Sequence, residues 1–400
     1  MSPMFPVFDK SVDRREFLEF CAKGACAMGI GSILLKDKDL FASLDALNQN
    51  IEKSSGNSVS SDIKFTKEAY HYKKLADNIV ECGLCPRNCH VPDGSRGLCG
   101  VRENRKGMYF TLVYSRICAL HVDPIEKKPL FHYKPSQNAF SLATPGCNIS
   151  CKFCQNWQIS QAKPEDIVCN YISPENVVAQ AKSSGSACIA YTYSEPTIFY
   201  EFMYDTTKLA NESGMKSVII TNGFISQQAQ DELLTQIDAV KIDLKGFSEK
   251  YYSEICGASL KPVLNSIKRV KNSGKWLELV VLIVPTMNDS EKEITEMASW
   301  ISGEIGNEVP VHFSRFHPEY KLRNLPVTPV STLNRCLDIC KARGLKYVYL
   351  GNVPGHPAEN TYCPSCGKMV IKRYGYYVLD NKIKDGNCSF CGYKIAGVFS

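Results

Sequence analysis

The chain has 400 residues, 44% of them hydrophobic and 22% charged, with a mean hydropathy of −0.19. This describes a globular protein of roughly two or three domains, and the lack of an uncharged apolar run of about 18 residues excludes a polytopic membrane protein. The formal charge of +6 concentrates in residues 82–134 (+5) and 363–400 (+4), where cysteines also lie closest together. Thiolate ligands would offset that charge, so nucleic-acid binding is not indicated.

In chain order, Arg14-Arg15-Glu16-Phe17-Leu18 and the weakly apolar stretch from Gly24 to Leu35 come first. They read either as a twin-arginine export signal or as an amphipathic leader helix docked on the body. Residues 47–62 are polar and Ser/Asn-rich, as a linker is. The expected organisation is leader and linker over 1–62, a cysteine-rich module over 63–138, a barrel over 139–360 and a zinc-ribbon-like module over 361–400.

Of the 19 cysteines, eleven fall into three spaced clusters, which points to metal before disulfides. The other eight (Cys21, Cys26, Cys118, Cys169, Cys188, Cys256, Cys336, Cys340) are expected as buried free thiols. The first cluster is Cys82-x2-Cys85-x3-Cys89-x9-Cys99, whose four thiolates suit structural zinc or an auxiliary iron–sulfur cluster with no open iron; zinc is the commoner occupant. Next, DPIEKKPLFHYKP (123–135) carries Asp123, Glu126, Lys127, Lys128 and His132 among three prolines. It is expected to be ordered and extended, facing solvent or lining a substrate site.

From residue 139, short β-branched runs alternate with stretches of helical period, the mark of βα units around a parallel sheet. Strands are predicted at 139–144, 187–194, 217–222, 239–244, 277–284, 311–316 and 347–351. Helix starts are predicted at Ser173-Pro174-Glu175, at Glu195-Pro196 and at Ser290 with Glu293 as a capping box. Six or seven such units favour a curled barrel, whose chemistry gathers at the C-terminal strand ends.

Cys147-x3-Cys151-x2-Cys154 follows the first predicted strand. Three thiolates at this spacing can hold three irons of a cubane and leave the fourth open. The loop, with Phe153 before its third cysteine, resembles that of the radical S-adenosylmethionine (SAM) enzymes. That resemblance implies an α/β fold with a partial (βα)6-type TIM-like barrel. It also implies a [4Fe-4S] cluster that binds SAM and cleaves it reductively to a 5′-deoxyadenosyl radical, with electrons from a flavodoxin- or ferredoxin-type donor.

Further residues take roles from the same resemblance. Glu195, in Tyr193-Ser194-Glu195-Pro196, stands where the family usually has Gly-Gly-Glu and would hold the SAM ammonium; helix-start punctuation is its other reading. Thr221-Asn222-Gly223 and Asp243-Leu244-Lys245 look like the SAM-contacting stretches of pyruvate formate-lyase activating enzyme. Asp243 and Lys245, two apart on a strand, face the same side, into the barrel mouth or as a solvated edge pair. His312 and His317 compete for a position near the SAM ribose, and His317 is favoured as nearer the mouth.

Cys363-x2-Cys366 and Cys388-x2-Cys391, 21 residues apart, form a zinc-ribbon pattern. Over about residues 70–400 the chain resembles the AmmeMemoRadiSam-type radical SAM enzymes. The carrying stretches are CGLCPRNCHVPDGSRGLCGVREN, DPIEKKPLFHYKP, CNISCKFCQNWQIS, TYSEPT, KIDLKGF, GNVPG and the terminal ribbon. A link to AMMECR-like and Memo-like proteins is implied. The main expectation is a radical SAM enzyme on an undetermined substrate; the alternatives are an activase for a glycyl-radical enzyme and, in another class, a zinc-stapled binding module. Because SAM and low-potential reductants are cytoplasmic, the body is expected in the cytoplasm, with the leader docked on it or holding it to the inner membrane face; export is the alternative.

Overall fold

The seven β-branched runs form seven parallel strands in the computed structural model, which describes residues 63–399. The leader with its arginine pair lies outside the described residues. Counting an antiparallel edge strand first, the sheet comprises β1 (Ala119–Pro124), β2 (Asn138–Ala143), β3 (Cys188–Tyr191), β4 (Lys216–Thr221), β5 (Ala239–Asp243), β6 (Trp276–Ile283), β7 (Val311–Arg315) and β8 (Val348–Gly351). Strand order follows chain order, and β1 and β8 remain unpaired edges. Seven parallel strands therefore form where a six-unit barrel was the expected type, and the barrel is open.

β1 was not predicted. Its sequence, ALHVDP, gives no continuous apolar run because its middle, His121 and Val122, is exposed, and it pairs antiparallel with β2 from Ala119 opposite Ala143 to Pro124 opposite Asn138. The parallel strands are buried on both faces and so read as continuous apolar runs. Their C-terminal ends advance along the register: Tyr191, the last residue of β3, lies opposite Ile219, before the end of β4, and Asp243, the last of β5, opposite Val280, before the end of β6. The loops that follow leave the sheet on the same side.

Six helices cover the outside: α1 (Pro174–Ser183), α2 (Tyr200–Glu212), α3 (Gln227–Leu234), α4 (Leu260–Asn272), α5 (Glu291–Trp300) and α6 (Val330–Ala342). Ser173 and Ser290 cap α1 and α5 by accepting from the Asn176 and Glu293 amides. The capping box at α5 is only half formed, because the Glu293 carboxylate accepts from the Phe247 amide at 2.6 Å instead of turning back to Ser290. Cys336 and Cys340, one turn apart on α6, are fully buried, as free thiols are expected to be.

The segment after β1 is not simply extended: Ile125–Lys127 is a turn of 3-10 helix, and Asp123, Glu126, Lys128 and His132 are all buried. Before it, two three-stranded antiparallel sheets hold the first four clustered cysteines. Buried Asn104 ties them together by donating to the Val91 and Asn78 carbonyls, and a buried Arg102–Glu201 ion pair fixes them to α2. After β8, Thr361–Tyr362 joins β9 (Met369–Tyr374) and β10 (Tyr377–Asn381) in a small sheet. Its Arg373 donates to the Phe131 carbonyl at 2.8 Å, and Phe131, Tyr347, Tyr349 and Val370 share one core. The described residues lie within one compact unit, Asp62–Ser400.

Candidate functional site

The loop after β2 carries Cys147, Cys151 and Cys154. Gly146 opens it at φ +104°, where a Cβ would lie 2.6 Å from Val101 Cγ1, so only glycine fits. The Ser150 and Lys152 amides donate to the Cys256 and Ile255 carbonyls, both at 2.9 Å, which pins the loop against the turn that precedes α4. Asn148 is buried behind Cys147: its Nδ2 donates to the Phe224 carbonyl, and its Oδ1 accepts from Asn222 Nδ2 at 2.9 Å. The same Asn222 nitrogen lies 3.7 Å from Cys147 Sγ. Cys154 Sγ is 3.0 Å from Ser160 Oγ.

All three cysteines line a cavity of about 990 Å³ at the C-terminal ends of the strands, together with Glu195, Thr221, Asn222, Asp243, Lys245 and His317. Every residue named for the mouth from the sequence therefore reaches it. Among the described residues, the one group of three or more His, Cys, Asp or Glu placed to hold a metal ion is Cys363, Cys366, Cys388 and Cys391, whose sulfurs all lie within 4.8 Å of one another. The mouth cysteines form no such group and line the open cavity instead. A cubane fits that arrangement better than a single ion does.

Glu195 is 2% exposed and lies in the loop after β3, capping the 3-10 turn Pro196–Phe199 that leads into α2. Its Oε1 accepts from the Thr197 amide (3.0 Å), Thr197 Oγ1 (2.7 Å) and Thr221 Oγ1 (2.6 Å), whereas Oε2 accepts only from the Asn222 amide (2.8 Å). Glu195 thus caps the turn at Pro196 while lining the mouth. Burial raises its pKa more than these donors lower it. Tyr193, at a position the family gives to glycine, keeps a left-handed φ of +64°, and its hydroxyl donates to Asp123.

Asp243 lies between two ammonium groups, Lys245 Nζ at 2.9 Å and the buried Lys241, which donates to its other oxygen. Burial alone would raise the Asp243 pKa, but the two lysines outweigh it and hold the carboxyl down at about 2. Lys245 is held up by the same carboxylate despite burial. Lys241 was missed from sequence, although the alternation Lys241, Asp243, Lys245 on one strand face could have found it. Of the two histidines, His317 is exposed at the rim, whereas His312 is buried with Nε2 2.8 Å from Glu278. Glu126, Lys127 and Lys128 from the charged segment also line the cavity, as do Arg315 and Tyr376.

The two flanking tetrads differ. Cys363 and Cys391 sulfurs are 3.6 Å apart and those of Cys366 and Cys388 3.8 Å, close to the roughly 3.8 Å set by a tetrahedral ion with bonds of about 2.3 Å. Cys82, Cys85, Cys89 and Cys99 instead line a small cavity of their own. No described helix is long and apolar enough to cross a membrane.

The radical SAM superfamily family model matches residues 141–300. An uncharacterized protein of Methanocaldococcus jannaschii is 46% identical over 331 residues, covering 82% of this chain and 98% of that protein. The pyruvate formate-lyase-activating enzyme of Clostridium pasteurianum is 26% identical over 201 residues, 45% of this chain and 80% of that protein. Among solved structures, a domain of the pyruvate-formate lyase-activating enzyme of Bacteroides vulgatus aligns with a TM-score of 0.38 at 18% identity, over 42% of this chain and all of that one. With a cysteine triplet at the mouth of a parallel barrel and this likeness over most of its length, the chain belongs to the radical SAM superfamily, enzymes that use a four-iron cluster and SAM.

Proposed function

We propose that Cys147, Cys151 and Cys154 hold three irons of the cluster and that Glu195, Thr221, Asn222, Asp243, Lys245 and His317 form the SAM site. The observation that carries this reading is the asymmetry of Glu195, a buried, cavity-lining carboxylate with three donors on one oxygen and a single one on the other. When bound, the cluster supplies the electron that cleaves SAM to methionine and a 5′-deoxyadenosyl radical. The chain's own residues bind and orient. Glu195 Oε2 is suited to an ammonium group, and a cation there would draw the raised carboxyl pKa down. Asp243, kept ionised by Lys241 and Lys245, accepts hydrogen bonds at the cavity wall, and His317 closes the rim. The substrate enters over the wall built by Lys128, Arg315 and Tyr376.

The expected assay is 5′-deoxyadenosine formed from SAM and dithionite under anaerobic conditions, absent in Cys147→Ala, Cys151→Ala and Cys154→Ala. Formation by any of the three would overturn the ligand assignment. A glycyl-radical activase is the second reading, favoured by the named pyruvate formate-lyase-activating relatives; an electron paramagnetic resonance (EPR) doublet on a partner protein after SAM cleavage would select it.

The AmmeMemoRadiSam assignment rests on the stretches quoted from the sequence, with AMMECR-like and Memo-like proteins as partners and a flavodoxin- or ferredoxin-type electron donor. Co-purification of the full chain with such proteins tests it, and absence of any association counts against it. The C-terminal tetrad is proposed to bind zinc as the fold's local staple, and Cys363→Ala should release about one zinc per chain. The supply of SAM and reductant places the enzyme in the cytoplasm; a shortened periplasmic form would contradict that.

A further inference from the structure

Four thiolates in the N-terminal module surround a common cavity. Among the described residues Cys82, Cys85, Cys89 and Cys99 are nevertheless not gathered into a group of ligand atoms close enough to hold a single metal ion. A tetrahedral zinc with bonds of about 2.3 Å would draw all four to roughly 3.8 Å. The same chain meets that condition at Cys363, Cys366, Cys388 and Cys391. A cubane, in which each thiolate would bind its own iron and the irons are joined through bridging sulfides, separates its thiolates further.

The walls of this cavity supply an independent observation. Tyr109 and Arg102 both line it, are 0% and 1% exposed, and each keeps a buried polar atom without a partner, Tyr109 Oη and Arg102 Nε. Orphaned buried donors cost about 1–3 kcal/mol each and ask for an acceptor. Another Arg102 nitrogen already lies 3.7 Å from Cys82 Sγ. Gly97 preserves the space: a Cβ there would stand 2.7 Å from Tyr109 Oη and 3.9 Å from Cys89 Sγ. The bridging sulfides of a cubane offer these donors the acceptors that the protein does not.

We infer that Cys82, Cys85, Cys89 and Cys99 bind a second four-iron cluster, fully ligated by protein, with Tyr109 Oη and Arg102 Nε donating to its sulfurs. With all four irons ligated by cysteine, the site leaves no iron open to SAM and serves one-electron transfer. It lies close to the mouth: Asn148, the residue after Cys147, forms part of its wall. The inference does not depend on the SAM reading, because it concerns different ligands.

Metal and sulfide analysis of the anaerobically purified full chain tests it. The expected content is about eight irons and one zinc per chain, and about four irons remain in a Cys147→Ala/Cys151→Ala/Cys154→Ala variant. The reduced variant should give an iron–sulfur EPR signal that SAM leaves unchanged. Four irons with two zincs in the unaltered chain, or an iron-free triple variant holding two zincs, would overturn the inference. Tyr109→Phe supplies a milder readout. Loss of one donor should shift the reduction potential of the SAM-insensitive signal to lower values, while the zinc content stays at one. An unshifted potential removes Tyr109 from the site.

Discussion

Two buried glutamates, Glu278 within a strand and Glu195 in the loop after another, show how similar surroundings serve different ends. Glu278, on β6, receives two donors on each oxygen: the His132 amide (2.8 Å) and Trp276 Nε1 (3.0 Å) on Oε1, the Phe131 amide (3.0 Å) and His312 Nε2 (2.8 Å) on Oε2. Glu195 receives as many, but three crowd one oxygen. Burial pushes both carboxyls up. At Glu278 the hydrogen bond from His312, with those from Trp276 and the two backbone amides, pulls harder and leaves it below the ordinary range, whereas Glu195 stays above.

The histidine partner of Glu278 is also shifted down, because burial outweighs the attraction of the carboxylate. The two directions agree if a neutral imidazole donates to an ionised carboxylate. Glu278 is thus complete within the protein and fixes residues 131–132, onto which Arg373 of the C-terminal module docks. Glu195 is lopsided, with three donors on Oε1 and one on Oε2. A carboxylate filled evenly on both oxygens organises the fold, and one with a lightly used oxygen has room for a ligand.

The sharpest break of this comparison is Glu278→Gln. One amide nitrogen would face a backbone N–H that now donates, so the variant should lose about 3 kcal/mol of stability. Chemical denaturation measures this, and SAM affinity of the folded fraction should stay within about twofold of the wild type. A variant as stable as the wild type would show that Glu278 does not organise this face.

Glu195→Gln should do the reverse. Removing the charge offered to an ammonium group should weaken SAM binding by about 2 kcal/mol, or roughly thirtyfold, by equilibrium dialysis on the reconstituted enzyme. Stability should fall by less than in Glu278→Gln: the amide nitrogen would face the Asn222 or Thr197 N–H, but the substitution also removes a charge that burial disfavours. Undiminished SAM affinity would remove Glu195 from the site.

The two carboxyls should also impose opposite pH dependences. Glu278, with its pKa depressed from an unfolded value near 4.5, contributes stability that is present above that pH and lost as pH falls toward the folded value. Glu195, with its pKa raised from the same starting value, favours the folded state at low pH, and that contribution declines as pH rises from 4.5 through the folded value. The deficit of Glu278→Gln against wild type should therefore shrink below pH 4.5, while Glu195→Gln gains on wild type above it. Parallel pH profiles would refute the assignment of opposite shifts.

The sequence exposes these two residues unequally, for physical reasons. The seven parallel strands are legible because burial on both faces demands β-branched apolar runs, and Cys147, Cys151 and Cys154 are legible because cluster ligation demands a fixed spacing. Glu195 stands beside a proline at a strand end, where chemistry is sought. Glu278 lies inside LELVVLIV, where its partners Phe131, His132 and His312 come from distant segments. Nothing local marks it. Asp123 and Lys128 were legible as a charged run but not as a buried pair, because only β1, itself exposed in its middle, brings them under the mouth.

The smallest expected effect concerns how the Glu195 loop is held. Tyr193 keeps a left-handed backbone that glycine would adopt without cost, and its hydroxyl donates to Asp123, which also pairs with Lys127 at 2.8 Å and with Lys128. Those three partners hold the Asp123 carboxyl well below the carboxylate range despite burial. Tyr193→Phe removes one donor while the two lysines keep Asp123 satisfied, so the cost should be about 1 kcal/mol. If Glu195 is positioned from within, by Thr197, Thr221 and Asn222, SAM affinity should not change with that loss. A parallel drop in affinity would mean that the Asp123 anchor, reaching in from the edge strand, sets the carboxylate's place, and that β1 belongs to the site as well as to the sheet.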